Sequence, residues 1–599
     1  MPLDASTDDA PLSLRHRQGS AAGEGIPETP TCGPYAWLPG IWVLRHYKKA
    51  WLVRDAVAGL VLTSLLVPAG MGYAVAAGLP AINGLYATII PLLAYAVVGP
   101  SRIMVLGPDS GLAPLIAAAV VAPAAGDPEK AVALASILAV LTGLLSIVAG
   151  VAKAGFVTDL LSKPVRVGYM NGIAATILVS QLPKLLGFSV KADGVIEGAR
   201  GLVLGIVGGQ TKLEALGIGA TCLALVLVGK AFAPKLPMVL VGVVLSIVAV
   251  SVFGWSSRLS VVGHVPRGVP LPSLPRVSLH EIGELVTAAL GIALVAFADT
   301  SVLSRTFAAR NGYRADPNRE LVGLGVANLA GGFFQGFPVS SSSSRTPVAE
   351  AAGSRTQVTG VVGAIAISVL LVAAPSLTSN LPTTALAAIV IAAAVNILDL
   401  KVLRTFYRVR RSDFVLCLVA FAAVATLGVL VGIAVAVAVS LLDFVKSAWR
   451  PHDAVLGRAA GVKGYHDLKR YPDAKQVPGL ILFRWDAPLF FANADSFRRR
   501  VVALVDQSPT PPRWVVVCAE PITDVDTTAS EMLHELDGEL AAREVELAFA
   551  EMKDPVKDRL ERYELRQRIG ERYFFSTIGV AVKAFIARFD VKWEDWEGD

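Results

Sequence analysis

The chain has 599 residues, of which 54% are hydrophobic and only 17% charged, with a mean hydropathy of +0.58. Soluble domains carry about a quarter charged residues, so this composition excludes an ordinary cytosolic globule. The formal net charge of +6 is too small and dispersed for a nucleic-acid footprint, and neither the scattered Cys32, Cys222, Cys417 and Cys518 nor the seven histidines suggest a disulfide framework or a zinc site.

Residues 1 to about 35 are rich in Pro, Ser, Thr, Gly and charge and lack the apolar core of a signal peptide, so residues 1–50 read as a disordered, cytosolic N-terminal segment. A transmembrane domain is expected over 51–447, because from Asp55 to Val445 apolar runs almost never give way to a solvated stretch. At about 20 residues per spanning helix this length accommodates roughly 12 to 14 spans. Candidate starts lie near Asp55, Gly84, Ser110, Ala131, Val165, Leu213, Pro237, Leu285, Glu320, Ser341, Gln357, Thr384, Asp413 and Gly428, which is fourteen.

Alternate connections are basic: His46 to Arg54, Lys153 to Arg166, Lys230 to Lys235, Arg305 to Arg319, Lys401 to Arg411 and Lys446 to Arg450. Those at Leu79 to Asn83, Gly336 to Val339, Pro375 to Thr383 and around Leu427 carry no Lys or Arg, which predicts both termini in the cytosol. Two loops expected outside, Lys184 to Lys212 and Arg258 to Arg276, run against this rule.

Beyond Arg450 charges become frequent. Short apolar stretches at Leu480 to Phe483, Trp514 to Cys518 and Val545 to Ala550 alternate with helical patterns at Asn493 to Leu504 and Val580 to Phe589, which predicts a small α/β domain within 448–599. With no phosphate loop and no nucleophile–base constellation, it reads as a binding or regulatory module.

Two segments break the apolar pattern in corresponding halves, Gly107-Pro108-Asp109-Ser110 and Phe337-Pro338-Val339-Ser340, the latter followed by Ser341 to Ser344 and Arg345. Each has Pro two residues before Ser, a start signal for a half-length helix. Paired interrupted helices point to a transporter site between inverted repeats, and helix N-termini suit an anion. Ordinary proline kinks are the plainer reading. Charges at membrane depth need a reason to be there, and Asp109, Asp299 and Arg345 stand out. Asp109 could simply cap a helix, and Asp299 could simply pair with Arg345. Arg102, Lys163, Glu320 and Glu350 fall near span ends and read as interfacial. Arg345 and two helix ends supply about two positive charges, which two ionised aspartates would cancel. An anion would then need a protonated aspartate or a bound cation, which favours ion-coupled uptake over a bare pore.

Several motifs together resemble the sulfate permease (SulP) family: Pro68-Ala69-Gly70-Met71-Gly72-Tyr73-Ala74, Ala77-Gly78-Leu79-Pro80, Gly84-Leu85-Tyr86, Ser101-Arg102, Gly107-Pro108, Gly168-Tyr169-Met170 with Gln181-Leu182, Asn318-Arg319-Glu320-Leu321 and Ser344-Arg345-Thr346. Leu489-Phe490-Phe491-Ala492-Asn493-Ala494 resembles a strand-to-helix segment of STAS domains. The resemblance implies fourteen spans as two inverted seven-span repeats, divided into core and gate, with elevator-like alternating access and a homodimer in the cell membrane. It implies an inorganic oxyanion held by Tyr73, Pro108, Asp109, Ser342, Ser344 and Arg345, with Asp299 as the ion-coupling residue and no cofactor. Relatives held to be proton-coupled carry Glu where Asp299 stands, whereas sodium-coupled bicarbonate carriers carry Asp with a hydroxyl four residues on, here Leu303. Sulfate uptake with a proton is the leading expectation. Sodium-coupled bicarbonate transport, an anion channel and a membrane-anchored sensor are the alternatives. Thr527 and Thr528 occupy the STAS turn where related anti-sigma antagonists are phosphorylated; a plain helix cap by Asp526 or Thr527 is the competing reading, and cytosolic regulators are the expected partners of this domain.

Overall fold

The computed structural model describes residues 30, 33, 35, 37–155, 162–190, 194–232, 237–263 and 265–593. Most of the segment expected to be disordered, residues 1–50, falls outside them, Cys32 included, but its described later part holds a short helix, Pro39–Arg45, and the start of the next helix at Lys49.

A helix starts within six residues of every expected span start. The first seven are α1 (Lys49–Ala76), α2 (Ala81–Val98), α3 (Ala113–Ala124), α4 (Pro128–Val151), α5 (Lys163–Leu185), α6 (Leu213–Phe232) and α7 (Met238–Phe253). The second seven are α8 (Leu279–Arg310), α9 (Pro317–Phe333), α10 (Arg345–Ala351), α11 (Val358–Ala373), α12 (Thr383–Ile397), α13 (Arg411–Leu427) and α14 (Val429–Trp449). Among the described residues, α1, α2, α4, α8 and the Thr383–Val409 stretch are long and apolar enough to cross a bilayer singly. Local chemistry sets several starts. Asp127 and Asp316 accept from backbone N–H groups of the turns they open, each followed by proline, and Ser278 forms a capping box with Glu281 at the head of α8.

Repeat symmetry is visible in which helices touch. Shifting each helix by seven converts the α4–α9 contact into α11–α2, α4–α8 into α11–α1, and α5–α13 into α12–α6. The α2–α9 and α5–α12 contacts map onto themselves. This is the packing of two inverted seven-helix repeats, with α1–α4 and α8–α11 as core and α5–α7 and α12–α14 as gate. Glycine lets core helices approach closely: a Cβ on Gly143 would lie 2.7 Å from the Gly325 carbonyl, and one on Gly325 2.7 Å from the Gly143 carbonyl. Asp55, wholly buried on α1, ties this helix to the head of α11. It accepts from the Arg355 and Thr356 N–H groups and from the hydroxyls of Tyr47, Thr356 and Thr359.

By internal contacts the chain divides at Ser440. The second unit carries a six-stranded sheet of β3 (Asp453–Arg458), β4 (Tyr465–Asp467), β5 (Leu480–Trp485), β6 (Trp514–Cys518), β7 (Glu546–Ala550) and β8 (Phe574–Phe575), in the order β4-β3-β5-β6-β7-β8. The strands from β5 to β8 run parallel, which requires crossover helices. These include α15 (Ala494–Asp506), α16 (Thr527–Ala541) and α17 (Asp554–Arg562), and α18 (Ile578–Phe589) closes the unit. Trp514 on β6 packs edge-on against Tyr573, Phe585 and Phe589, anchoring α18 to the sheet.

Candidate functional site

The two broken segments meet each other. Leu106–Gly107 (β1) pairs antiparallel with Ser340–Ser341 (β2), Leu106 opposite Ser341 and Gly107 opposite Ser340. Non-helical backbone at membrane depth must satisfy its own polar groups, and here each break does so with the other. Asn328 of α9 clamps the second break by donating to the Val339 carbonyl at 3.0 Å and accepting from its N–H at 2.7 Å. Gln357 holds the approach to the first, donating to the Ser101 and Met104 carbonyls at 2.8 Å each.

This pairing delays the half-helices. The sequence places their starts at Ser110 and Ser341, whereas α3 begins at Ala113 and α10 at Arg345, so Pro108 lies ahead of the helix instead of in its first turn. Asp109 turns the chain toward α3: its side chain accepts from the Gly111 N–H at 2.9 Å and its carbonyl from the Ala113 N–H at 3.2 Å, but the N-cap of α3 is Leu112, so Asp109 is not the side-chain cap of the plainer reading. At the second break Ser342 Oγ accepts from the Arg345 N–H at 3.3 Å and lies 3.2 Å from Ser344 Oγ.

Arg345 is 2% exposed. Its Nη2 donates to the Pro108 carbonyl at 2.5 Å, which fastens α10 to the first break, while Nε and Nη1 are buried without a hydrogen-bond partner among the described residues. Gly107, at φ +152°, is required there, since a Cβ would stand 3.1 Å from Nη1. Tyr73, buried on α1, stands beside Ser110 within the electrostatic reach of Asp109 and Arg345.

Next to these groups lies a cavity of about 300 Å³; of the expected substrate-binding residues Asp109 and Ser344 line it, whereas Tyr73, Pro108, Ser342 and Arg345 do not. The core lines it with Asp109, Ser110 and Gly111, with Ser341, Ser343 and Ser344, and with Asp299, Val302 and Leu303 of α8. The gate supplies Arg166, Val167 and Met170 of α5, Ala393, Asn396 and Ile397 of α12, and Asp399 just beyond it. Thr300 holds α8 to the site by accepting from the Ser341 N–H at 3.3 Å. Asp109 and Asp299 converge: a Cβ on Gly111 would meet their carboxylate oxygens at 3.3 and 3.7 Å. Among the described residues Asp299 has no ion pair with Arg345, so that simpler reading does not hold.

Two charged residues stand elsewhere than the sequence suggested. Glu320 reads as interfacial yet is fully buried, because Tyr95, Ser101 and Ser304 all donate to its carboxylate, the serines at 3.0 and 2.9 Å. Arg166 reads as part of a basic surface connection but lines the cavity. Its position on α5, two residues after Pro164 in a helix-start pattern, was the available signal.

In the second unit Asp526 is the cap of α16, accepting from the Ala529 N–H at 2.8 Å, and Thr527 and Thr528 stand exposed on its first turn. Burial pushes the Cys518 thiol up to about 12, which makes it a poor nucleophile.

A multi-pass helical membrane core of inverted repeats, broken at two facing half-helices and followed by a mixed-sheet α/β unit, defines a class of permeases and not of enzymes. The chain belongs to the sulfate permease family, whose model matches residues 52–420, and a STAS domain matches residues 471–581. A probable sulfate transporter of Mycobacterium tuberculosis is 40% identical over 561 residues, covering 93% of this chain and all of the relative. The chloroplastic sulfate transporter 4.1 of Arabidopsis thaliana is 32% identical over 565 residues, covering 90% and 81% of the two chains. The inward-facing murine Slc26a9 anion transporter shares the fold, with a TM-score of 0.85 at 22% identity over 98% of this chain and 100% of that one.

Proposed function

We propose that this protein is a secondary active transporter of inorganic oxyanions, taking up sulfate together with a proton. The observation that carries this reading is Arg345, a buried guanidinium with two nitrogens that lack a hydrogen-bond partner among the described residues, next to a cavity that both broken segments line. Asp109 lies within the electrostatic reach of Arg345, but the two guanidinium nitrogens lack acceptors, and an oxyanion is a partner that supplies them. In this reading Tyr73, Ser342, Ser344 and the Asp109 N–H complete the oxyanion's hydrogen bonds, while Pro108 positions Arg345 through its carbonyl. The relatives named as sulfate transporters support sulfate as the cargo.

Coupling follows from charge. Asp109 and Asp299 both border the space the anion would enter, so an incoming oxyanion raises the cost of keeping Asp299 ionised, and protonation removes that cost. Leu303, one turn beyond Asp299, offers no oxygen to a sodium ion, which favours a proton. Aspartate rather than glutamate at 299 is the feature favouring a second reading, sodium-coupled bicarbonate uptake.

The core carries the half-helices and the gate forms the opposite wall, so movement of the core past the gate would carry the site across the membrane, an elevator-like alternating access. We assign residues 51–447 to transport and 448–599 to a linker and STAS domain that binds cytosolic regulators. The assembly is a homodimer in the cell membrane with both termini cytosolic, and Thr527 and Thr528 are accessible to a kinase.

The test is uptake of labelled sulfate and bicarbonate into reconstituted vesicles with proton and sodium gradients imposed separately. Sulfate accumulation that rises as external pH falls is expected. Bicarbonate accumulation driven only by sodium would establish the second reading, and binding without flux would make the protein a sensor.

A further inference from the structure

The oxyanion reading leaves one cavity cation without a role. Arg166 lies in the first turn of α5 and lines the cavity from the gate side, while Arg345 sits behind the core wall. Arg166 is half-buried and forms no hydrogen bond or ion pair among the described residues. The charged groups sharing its cavity are Asp109, Asp299 and Asp399. Asp109 is already engaged by the Gly111 N–H, and Asp399 turns away to cap the helix Leu400–Val409 through the Val402 N–H at 3.1 Å. Of the three, Asp299 is the one within the electrostatic reach of Arg166, whereas Asp109 is within that of Arg345.

The same two aspartates face either anion, so a second cation matters more for a divalent anion, which carries twice the charge, and the gate holds that cation. Guanidinium also suits this task because its planar fork matches two oxygens of a tetrahedral oxyanion. We propose that Arg166 is a substrate contact supplied by the gate, and that it makes the site prefer divalent over monovalent oxyanions. The proposal rests on the oxyanion-transport reading above. If the core moves against the gate, the contact is made only where the cavity faces α5, so it also strengthens binding on one side of the membrane over the other.

Calorimetric titration of the full-length protein in nanodiscs with sulfate, and separately with bicarbonate, tests this in the wild type, Arg166→Gln and Arg166→Lys. Arg166→Gln should weaken sulfate by about tenfold or more and bicarbonate by no more than about threefold, with Arg166→Lys in between. The side chain faces a cavity and anchors nothing, so a monodisperse variant is expected, and the lysine variant keeps the charge if glutamine disturbs assembly. Sulfate affinity in Arg166→Gln within about twofold of wild type, or equal losses for both anions, would overturn the proposal. Wild-type protein that binds neither anion would overturn the transport reading itself, which separates the two failures.

Discussion

The two broken segments share a backbone plan and differ in charge. Each runs through a two-residue strand into a turn and a short helix, and the strands pair across the repeat axis. The first break carries Asp109, spent on its own turn through Gly111, and the second carries Arg345, whose guanidinium reaches back to the Pro108 carbonyl of the first. Duplication therefore explains the scaffold, while one acid and one base at non-equivalent places explain its chemistry. A symmetric pair of helix ends would attract any anion; the asymmetry decides how tightly it is held and what must accompany it.

The largest effect should come from removing the base. Arg345→Ala should weaken sulfate binding by roughly 30-fold or more, the scale of losing a desolvated charge contact of about 2 kcal/mol upwards. Equilibrium binding on monodisperse protein reads this, and unchanged affinity would remove Arg345 from the site. Neutralising the acid should act in the opposite direction and less strongly. Asp109→Asn keeps an oxygen for the Gly111 N–H but deletes a negative charge, so sulfate should bind on the order of tenfold tighter. Weaker binding would mean that Asp109 organises the site more than it repels the anion. A smaller loss, about fivefold, is expected for Ser344→Ala, which removes one neutral hydrogen-bond donor of about 1 kcal/mol.

The smallest effect concerns the second unit, away from this comparison. Burial pushes the Glu546 carboxyl up, but hydrogen bonds from Tyr573, Trp514 and Arg588 outweigh it and hold the group below its ordinary value. Its contribution is thus complete above the unfolded value of roughly 4.3 and is lost as pH falls through the lower folded one. Acid unfolding followed by tryptophan fluorescence should show a shallower pH dependence in Glu546→Gln. An identical profile would show that this carboxylate does not couple to unfolding.

Span starts, the repeat plan and the strand–helix alternation of the second unit are legible in the sequence because they depend on local apolar pattern and on proline and capping residues. Asp109, Asp299 and Arg345 are legible because charge is rare in an apolar run. What the sequence does not reveal depends on distant neighbours. The starts of α3 and α10 slip to Ala113 and Arg345 because the breaks hydrogen-bond each other more than 230 residues apart. Glu320 is buried by hydroxyls from three other places in the chain, and Arg166, three residues inside a helix, cannot be told from a surface arginine until α8 and α12 close around it.

The central claim is that Asp299 links substrate to a driving ion. Vesicles containing wild type or Asp299→Asn, loaded with unlabelled sulfate or empty, can be given labelled sulfate with and without an inward proton gradient. The account predicts that both proteins exchange sulfate, that wild type concentrates it under the gradient, and that Asp299→Asn, fixed in the neutral state, does not. Gradient-driven accumulation by Asp299→Asn, or wild-type uptake indifferent to both protons and sodium, would contradict it.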